Sequence, residues 1–364
     1  MDDHTGAAEQ PTTTSPGLAA AAPFQKVTAG SRRRYWQGPA TDHFDGERFF
    51  NPGGQGPRSF KDLLRWHFGT RATSWPATLP SPFPPDQPPA RVDGDATRVS
   101  FVGHATFLIQ GGGLNVLTDP VWSDRVSPFP FLGPRRRNAP GIAFDDLPRI
   151  DVVLLSHCHY DHMDLATLRR LWDRDQPLII TPLGNETIIR AKHRTIAATA
   201  ADWGDTIALG GSARATLVPA HHWSARGFGD RNRALWCGFV IDGLGDCRIY
   251  FAGDTGFDEG RPFRGLVEDH GPIDLALLPI GAYEPRWFMA PQHMNPEDAV
   301  NALQLLGARH AFGYHWGTFR LTSEGIEQPK HDLGTALAAS GMAPDRFLAL
   351  RPGQTWIPPS TDIR

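Results

Sequence analysis

The sequence has few cysteines, no long apolar run and almost no net charge. Its three cysteines, Cys158, Cys237 and Cys247, are widely spaced and form no CxxC pair, which argues against a disulfide framework and a thiolate zinc site. No segment approaches the roughly 18 apolar residues of a membrane-spanning helix. A formal net charge of -3, from 36 basic and 39 acidic residues, gives no electrostatic case for a nucleic-acid partner.

The N-terminal region also lacks the pattern of a secretory signal. The first 30 residues contain no basic segment followed by a long apolar core, and the apolar stretch Leu18–Ala22 is too short for one. Together with the cysteine usage, this predicts a cytoplasmic protein in a reducing compartment. Peripheral contact with a membrane stays open, because such contact needs only a surface patch.

Composition divides the chain into three regions. Residues 1–30 are rich in Thr, Pro, Ala and Gly without periodicity, and we expect a disordered or loosely ordered arm there. Residues 31–90 are expected to form an extension that packs on the catalytic domain, and they end in a proline-rich connector, Ser74–Pro89. Residues 91–364 alternate strand and helix patterns, which predicts one layered α/β domain.

A dense group of metal-ligand residue types follows one predicted buried strand. The segment LLSHCHYDHMD, residues 154–164, overlaps and continues the apolar run Val152–Leu155. It contains His157, His159, Asp161 and His162. Divalent first-row metals prefer imidazole and carboxylate ligands, and alternation along an extended segment puts both HxH histidines on one face. A single histidine is more often a surface or core residue, but this spacing predicts a metal site.

Further ligand candidates follow later predicted strands. His221 and His222 end a strand predicted over Ala215–Trp223, and the residues alone leave the choice between them open. Asp254 lies in a GDTG turn, where flanking glycines let a carboxylate approach metals closely enough to bridge two cations. His315 follows the last long apolar strand pattern. Because α/β folds build their sites at strand ends, the pattern predicts one shared metal site, at which two metals become possible.

Two other features have open interpretations. His104, alone in a hairpin predicted over Thr97–Asp119, is more typical of a structural residue, although a role at the site stays open. The following loop carries Phe129, Phe131 and the basic run Arg135–Arg137. Aromatic and guanidinium groups suit a substrate with an acyl part and a phosphate, and an ordinary surface loop is the alternative.

The order HxHxDH, single His, GDTG and late His resembles the metallo-β-lactamase superfamily. More specifically, several segments resemble the N-acylphosphatidylethanolamine-hydrolysing phospholipase D family. These segments are LTDPVWSDRVSPFPFLGPRRR, LLSHCHYDHMD, FAGDTGF, IGAYEPRWFM with QHMNPEDAV, and HWGTF. The similarity runs from about Phe101 to Phe347, and the amino-terminal arm departs from it. The resemblance implies an α/β fold, an αββα four-layer sandwich, with a binuclear zinc centre.

The resemblance also implies a role for individual residues. One zinc would be bound by His157, His159 and His222, and the other by Asp161, His162 and His315. Asp254 would bridge the two ions. His222 is preferred to His221 because the family's ligand immediately precedes a tryptophan, here Trp223. The substrate-binding residues would be Tyr160, Gln292 and His293.

The expected chemistry is hydrolysis. Two cations lower the pKa of a shared water, so that a metal-bound hydroxide forms near neutral pH, and they stabilise a phosphorane-like transition state. Asp161 and Asp254 are the expected catalytic residues, because carboxylates at metals can orient the hydroxide and accept its proton. The resemblance implies cleavage of N-acylphosphatidylethanolamine-like lipids to phosphatidic acid and N-acylethanolamine.

Three alternatives accompany this interpretation. A lactonase or esterase, or another phosphodiesterase for a small soluble substrate, could use the same hydroxide, because pocket shape decides the target. Iron or manganese could replace zinc, since His/Asp sites accept these metals. A metal-stabilised binding protein on the same fold is disfavoured, because every expected ligand position is occupied. Relatives suggest a homodimer, which the sequence leaves open.

Overall fold

Two mixed sheets of seven strands each form the centre of the fold. The strands are β1 Thr97–Gly103, β2 Thr106–Gly111, β3 Leu114–Thr118, β4 Val152–Leu154, β5 Leu178–Pro182, β6 Thr199–Ala201, β7 Thr206–Gly210, β8 Ala213–Val218, β9 Gly238–Leu244, β10 Cys247–Phe251, β11 Leu275–Pro279, β12 His310–Tyr314, β13 Phe347–Ala349 and β14 Thr355–Trp356. The helices are α1 Phe60–Gly69, α2 Leu165–Asp175, α3 Asn185–Lys192, α4 Leu266–His270, α5 Arg286–Met289, α6 Pro296–Leu306 and α7 Gln328–Ser340.

These elements come from a computed structural model that describes residues 35–55, 60–69, 73–129, 131–227 and 229–358. All the described residues belong to one compact unit, Arg34–Arg364. The arm expected over residues 1–30 lies outside them. Among these ranges, every helix is too short or too polar to cross a bilayer.

The sheets share one design, in which an antiparallel half continues into a parallel half. The first sheet has the order β14-β1-β2-β3-β4-β5-β6, with parallel pairing from β3 onward. The second has the order β13-β12-β11-β10-β9-β8-β7, with parallel pairing between β10 and β13. Parallel strands have their carboxyl ends at the same edge of a sheet. The segments after β4, β10 and β12 therefore start from the edges where α/β folds form sites.

Four layers follow from where the apolar side chains pack. One buried cluster joins the facing sides of both sheets and includes Phe107 of β2 and Phe239 of β9. A second cluster packs Leu168 of α2 on the outer face of the first sheet. A third packs Leu303 of α6, with part of α7, on the outer face of the second sheet. The predicted αββα sandwich of the α/β class is therefore confirmed.

Capping residues define the starts of two helices near the candidate ligands. The Asp164 side chain accepts from the Ala166 amide at the start of α2. Asn295 and Asp298 form a reciprocal capping box at the start of α6, with Pro296 at the first helical position. Each cap satisfies backbone amides directly after a segment of candidate site residues. The caps therefore fix where these segments end.

The strand predicted over Ala215–Trp223 is too long. β8 ends at Val218 because Pro219 has no amide with which to continue the ladder. The chain then leaves the sheet, and the His221 amide donates to the Thr255 hydroxyl at 2.9 Å. Both candidate histidines of this segment consequently lie in a loop, against the turn that follows β10.

The hairpin predicted over Thr97–Asp119 contains an additional turn. The stretch before the glycine turn divides into β1 and β2, which pair antiparallel. The chain reverses at His104, whose φ of 58° lies in the left-handed region. Only β2 and β3 form the predicted hairpin around the glycines. A residue predicted to lie within a strand thus lies in a turn at the end of two strands.

Described residues of the N-terminal extension contact the sandwich. Phe44 and Phe49 are buried in a small cluster with Trp236. The Asn51 side chain donates to the His222 carbonyl at 3.0 Å. The extension therefore touches the loop that carries a candidate ligand, while the domain boundary near residue 91 stays a prediction.

Candidate metal centre

Three histidine rings converge beside the carboxyl end of β4. His157 Nε2 lies 2.8 Å from His159 Nδ1, and His222 Nε2 lies 3.2 Å from the same atom. We call these residues the three-histidine group. His157 and His159 come from the loop after β4, and His222 comes from the loop after β8. Loops from the two sheets therefore meet at one point.

Hydrogen bonds on the far side of two rings set their tautomers. The Ser156 hydroxyl donates to Asp119 Oδ2 at 2.6 Å, so its oxygen accepts from His157 Nδ1, 2.9 Å away. The Gln292 carbonyl accepts from His222 Nδ1 at 2.9 Å. A proton held on Nδ1 leaves the Nε2 lone pair free to face the group. Both rings thus present acceptors toward the common point.

A second group lies beside the first and contains Asp161, His162 and His315. We call it the aspartate group. Asp161 Oδ2 lies 3.3 Å from His315 Nε2 and 3.5 Å from His162 Nε2. Asp119 Oδ2 accepts from His162 Nδ1 at 2.7 Å, which directs Nε2 of that ring inward. His315 directly follows β12, so strands of both sheets supply this group as well.

Asp254 lies between the two groups. Its Oδ2 is 3.2 Å from both His162 Nε2 and His315 Nε2, and 3.8 Å from His222 Nε2. Its Oδ1 is buried and has no hydrogen-bond partner among the described residues. Gly253 precedes it at a φ of +61°, and a Cβ there would lie 2.7 Å from the Cys237 carbonyl. Only glycine therefore lets the carboxylate approach this closely.

Electrostatics make the cluster suitable for a cation. Burial lowers the pKa of His159 to about 3 and that of His222 to about 4, so both rings are neutral at pH 7. Burial alone would raise the pKa of Asp161 and Asp254, but His162 holds the pKa of both carboxyls well below its usual range. The three-histidine group therefore has the neutral imidazoles that coordinate metals. In the aspartate group, burial alone would lower the pKa of His162 and His315, but Asp254 raises the first well above its usual value and the second to about 9, so a metal there would displace protons from these rings.

The donor set fits a divalent metal. Nitrogen atoms at 2.0–2.1 Å from a tetrahedral zinc lie about 3.3 Å apart. In the three-histidine group, the distance from His159 Nδ1 is 3.2 Å to His222 Nε2 and a shorter 2.8 Å to His157 Nε2. Ring nitrogens this close with facing lone pairs repel one another unless a proton or cation lies between them. The Asp254 Oδ1 atom is a buried acceptor without a partner among the described residues, and it too requires a proton or cation beside it. The cluster could therefore hold metal.

Sequence reasoning left the role of His104 open and missed Asp119, and both side chains belong to this cluster. His104 Nε2 lies 2.9 Å from Asp161 Oδ2, and both groups are buried. Asp119 contacts both Ser156 and His162, and it was not predicted as a site residue. The parallel pairing of β3 with β4 was the available signal for Asp119, since it brings TDP beside the metal motif. His104 had no local signal, because its contact depends on the turn after β1.

His221 lies away from both groups. Its Nδ1 is 2.7 Å from Asp258 Oδ2, which directs the ring toward the turn after β10. The adjacent His222 enters the three-histidine group instead. Of the two histidines between which the sequence did not choose, the fold therefore brings only His222 to the cluster.

The cluster opens into a cavity of about 470 Å³. Its polar floor includes His159, Asp161, Asp254, His293 and His315. Its apolar wall includes Trp66, Val126, Phe288, Met289 and Leu321. The Trp66 and Phe288 rings stack at 5.1 Å. The cavity lining therefore offers a ligand both metal-ligand atoms and apolar surface.

The three candidate substrate residues all line this cavity, in different ways. His293 is buried, its Nδ1 lies 3.9 Å from Asp254 Oδ2, and burial holds its pKa well below the usual value. The Gln292 amide lies 3.5 Å from the Met289 sulfur. The Tyr160 hydroxyl donates to the Arg226 carbonyl at 2.8 Å. Tyr160 therefore contributes its ring to the cavity lining, while its hydroxyl proton is donated to the Arg226 carbonyl.

The basic run Arg135–Arg137 has three different environments. Arg136 is buried, donates to the Val121 carbonyl at 2.7 Å and lies over the Phe319 ring at 4.9 Å. Arg135 is exposed and pairs with Asp124 at 2.9 Å. Arg137 is partly exposed and lines a separate surface depression. These guanidinium groups lie outside the lining of the metal cavity.

Comparisons with known proteins agree with this geometry. A model described as a beta-lactamase superfamily domain matches residues 114–316, a span that contains both groups. N-acyl-phosphatidylethanolamine-hydrolyzing phospholipase D 1 of Caenorhabditis elegans is 37% identical over 269 residues, covering 71% of this chain and 74% of that protein. The mitochondrial N-acyl-phosphatidylethanolamine-hydrolyzing phospholipase D of Saccharomyces cerevisiae is 35% identical over 260 residues, covering 70% of this chain and 55% of that protein. The metallo hydrolase Igni18 of Ignicoccus hospitalis matches with a TM-score of 0.53 and 21% identity, over 72% of this chain and 98% of that one.

Proposed function

Because this chain belongs to the N-acyl-phosphatidylethanolamine-hydrolyzing phospholipase D family of the beta-lactamase superfamily and is a metal-dependent hydrolase, we propose that it is a binuclear zinc phosphodiesterase. Its proposed substrates are N-acylphosphatidylethanolamine-like lipids. Water and lipid would give phosphatidic acid and N-acylethanolamine. Peripheral membrane contact, which needs only a surface patch, and a homodimer, which relatives suggest, belong to the same proposal.

The cavity carries this proposal, because it matches an amphipathic phosphodiester. The metal-ligand atoms form one part of the lining, and Trp66, Phe288 and Leu321 contribute an apolar part. A phosphate would lie at the first and an acyl chain along the second. A small polar ester would leave the apolar wall in water, which disfavours such a substrate.

The proposed zinc sites use the two groups described above. The three-histidine group would hold one ion, the aspartate group would hold the other, and Asp254 would bridge them. Bound zinc supplies Lewis acidity, which lowers the pKa of water and stabilises negative charge developing at phosphorus. Ser156, Gln292 and Asp119 support this assignment, because each accepts or orders a proton on the outer side of a ligand ring.

The chain's own groups would orient the reactants. Asp161 and Asp254 carry ionised oxygens that can hold the attacking water and accept its proton. His293 is neutral and buried beside Asp254, so its ring N–H can donate to a phosphate oxygen. The Tyr160 hydroxyl is committed to the Arg226 carbonyl, and its ring forms part of the wall. In the balanced reaction the water oxygen bonds to phosphorus as the alkoxide oxygen of N-acylethanolamine leaves with a proton.

A labelled-water experiment tests the reaction. Zinc-loaded protein is incubated with N-acylphosphatidylethanolamine in H₂¹⁸O, and both products are analysed by mass spectrometry. We expect one ¹⁸O in the phosphate of phosphatidic acid and none in N-acylethanolamine. A parallel panel of lactones, carboxylic esters and soluble phosphodiesters measures competing activities. Faster turnover of a lactone or carboxylic ester than of the lipid would replace the proposed function with the esterase alternative.

A further inference from the structure

An exposed apolar tip projects from the loop after β3. We define the rim hairpin as residues 124–129 and 131–136. Its arms pair through a bridge between Arg125 and Arg135, and the Arg136 amide donates to the Asp124 carbonyl at 2.8 Å. The tip carries Phe129, Phe131 and Leu132, with exposed fractions of 51%, 77% and 60%. Three neighbouring apolar side chains held in water at one tip are typical of an interaction surface.

Arginines surround the base of this tip. A surface depression of about 440 Å³ is lined by Arg125, Arg135, Arg137 and Arg320. Arg135 pairs with Asp124, whereas the other three have no carboxylate within salt-bridge distance in the described ranges. The hydrogen bonds of Arg125 and Arg137 go to the carbonyls of Gly133 and Ala77, which leaves their charges uncompensated. A chain with a net charge of -3 therefore has a local positive surface here.

The rim hairpin also forms one wall of the metal cavity. Val126, inside the hairpin, is buried against Phe319 and Tyr160 and lines the cavity. Leu321 lines it too, and the depression's Arg125 and Arg320 are the chain neighbours of these two residues. The charged surface is thus one residue away from the cavity lining on two segments.

Another part of the cavity lining lies beside a second pair of an aromatic side chain and an arginine. Trp287 is partly exposed, and the Arg65 guanidinium lies 4.8 Å from its ring centroid. The next residue, Phe288, lines the cavity. Tryptophan and arginine both favour the boundary between water and lipid headgroups, because each joins an apolar body to a polar end. Two separate segments beside the cavity lining therefore carry groups suited to a lipid interface.

We infer that the rim hairpin docks this protein onto an anionic phospholipid bilayer. The tip side chains would enter the acyl region, and Arg125, Arg137 and Arg320 would contact headgroup phosphates. The apolar groups lie at the tip and the cations at its base, which is the order that a bilayer surface requires. Docking in this orientation would place the metal cavity at the source of its substrate. The inference rests on the proposed lipid substrate and adds the surface by which the enzyme reaches it.

A protein partner fits the same surface less well. A stable protein interface buries about 800 Å² on each partner, which three tip side chains do not supply. Uncompensated arginines would also need acidic partners at matched positions. A bilayer containing anionic lipid supplies mobile charges that adjust to any arrangement of guanidinium groups. Charge complementarity therefore favours the lipid surface over a second copy of the chain.

Vesicle flotation with the full-length, zinc-loaded chain tests this inference. The vesicles contain either phosphatidylcholine alone or phosphatidylcholine with 30 mol% phosphatidylglycerol as the anionic probe. We expect binding to the anionic vesicles that weakens with salt, and little binding to the neutral ones. Each arginine near an anionic surface contributes about fivefold in affinity, so Arg125→Gln with Arg320→Gln is expected to weaken binding about 25-fold. Removing the most exposed tip ring, in Phe131→Ser, is expected to weaken it at least about tenfold.

Control variants elsewhere on the surface make the same changes in net charge and exposed apolar area as the rim-hairpin variants. Arg190→Gln with Arg194→Gln removes two exposed arginines elsewhere, and Ile357→Ser removes an apolar side chain that is 64% exposed. Both controls should bind vesicles like the wild type. Equal binding by the rim variants and the controls, or equal binding to neutral and anionic vesicles, would overturn the inference. So would a dimer that Phe131→Ser converts to a monomer without change in vesicle binding, because the tip would then contact a second copy.

A soluble substrate separates docking from catalysis. Phe131 lies outside the cavity, so Phe131→Ser should hydrolyse bis-p-nitrophenyl phosphate at the wild-type rate in the absence of vesicles. Vesicle binding without release of phosphatidic acid would contradict the proposed function and leave the docking surface supported. Release of phosphatidic acid from detergent-dispersed lipid, without vesicle binding, would contradict the docking inference alone.

Discussion

The His315 amide donates a hydrogen bond of 2.9 Å to the carbonyl of His104. Both residues have left-handed backbones, with φ values of 67° and 58°. Such a conformation costs about 1–2 kcal/mol for a residue that carries a Cβ. Both rings reach Asp161 Oδ2, at 2.9 Å from His104 and 3.3 Å from His315. Backbone strain is therefore retained where two rings from opposite sheets meet one carboxylate.

Replacing His104 should weaken metal binding at the aspartate group. His104→Asn suits the test, because asparagine tolerates the left-handed conformation but has a shorter side chain that leaves Asp161 without this donor. Loss of an outer partner of a ligand typically costs 10–100-fold in metal affinity, so we expect a loss of about that size. Competition with a chromophoric chelator measures it. His221→Asn is the control, since His221 is buried but pairs with Asp258, and unchanged affinity in His104→Asn would contradict a positioning role.

Replacing Asp254 should be the harshest single change. Its Oδ2 lies within 3.8 Å of rings from both groups, so Asp254→Asn removes negative charge from both proposed ions at once. We expect kcat/KM to fall by about 10³-fold or more, with metal content reduced. Metal analysis and lipid hydrolysis on one preparation check this. Asp258→Asn, which changes a neighbouring carboxylate outside the cluster, should lose far less, and comparable losses in the two variants would argue against a bridging position.

The apolar wall should affect long acyl chains selectively. Phe288 lines the cavity, and burial of one such ring against an acyl chain corresponds to about 10–100-fold in binding. Phe288→Ala should therefore raise KM for a long-chain lipid and leave the hydrolysis of a short soluble phosphodiester nearly unchanged. Phe144→Ala is a matched control, because Phe144 is also 8% exposed but packs elsewhere in the fold. An equal effect on long and short substrates would show that the acyl chain does not bind along this wall.

The extension should contribute stability that depends on pH. Burial alone lowers the pKa of His43, but Asp202 and Asp42, at 2.8 and 2.6 Å, raise it above its usual value. A raised pKa in the folded state gives stabilisation that is complete below the unfolded value of about 6.5 and is lost as pH rises through the folded value. His43→Gln should therefore lower the free energy of unfolding more at about pH 6 than at about pH 9.

Urea denaturation at both pH values measures this difference for the holoenzyme. The exposed His331 supplies the control, and His331→Gln should show little change between the two conditions. A stability loss in His43→Gln that is the same at both values, or larger at the alkaline one, would show that protonation of His43 does not contribute.

Much of the site could be predicted because its signals are local. HxHxDH after an apolar strand and GDTG after another identify candidate ligands within single segments, and the caps Asp164 and Asn295 mark helix starts beside them. The family resemblance that these motifs carry also implied the sandwich. Local sequence could not locate the end of β8, since the proline that stops the ladder lies within an apolar pattern. The same limitation left His221 and His222 undistinguished without the family resemblance.

The remaining features depend on contacts between segments distant in sequence. His104 meets Asp161 only because β1 turns into β2 at the edge beside β4 and β12. The three consecutive arginines have different environments. The fold buries Arg136 over the Phe319 ring, whereas Arg135 and Arg137 face the surface. A pattern of residue types identifies chemistry, but which member of a run enters a site is decided by tertiary packing.

Zinc titration of the metal-free protein, with phosphatidic acid measured in the same samples, tests the central claim most directly. The two groups and the bridging carboxylate predict that phosphatidic acid release from N-acylphosphatidylethanolamine rises with zinc and reaches its maximum at two ions per chain. Asp254→Asn in the same titration should bind less zinc and release almost none. Saturation with two zinc ions without any phosphatidic acid, or full activity after exhaustive chelation, would contradict a binuclear zinc phosphodiesterase.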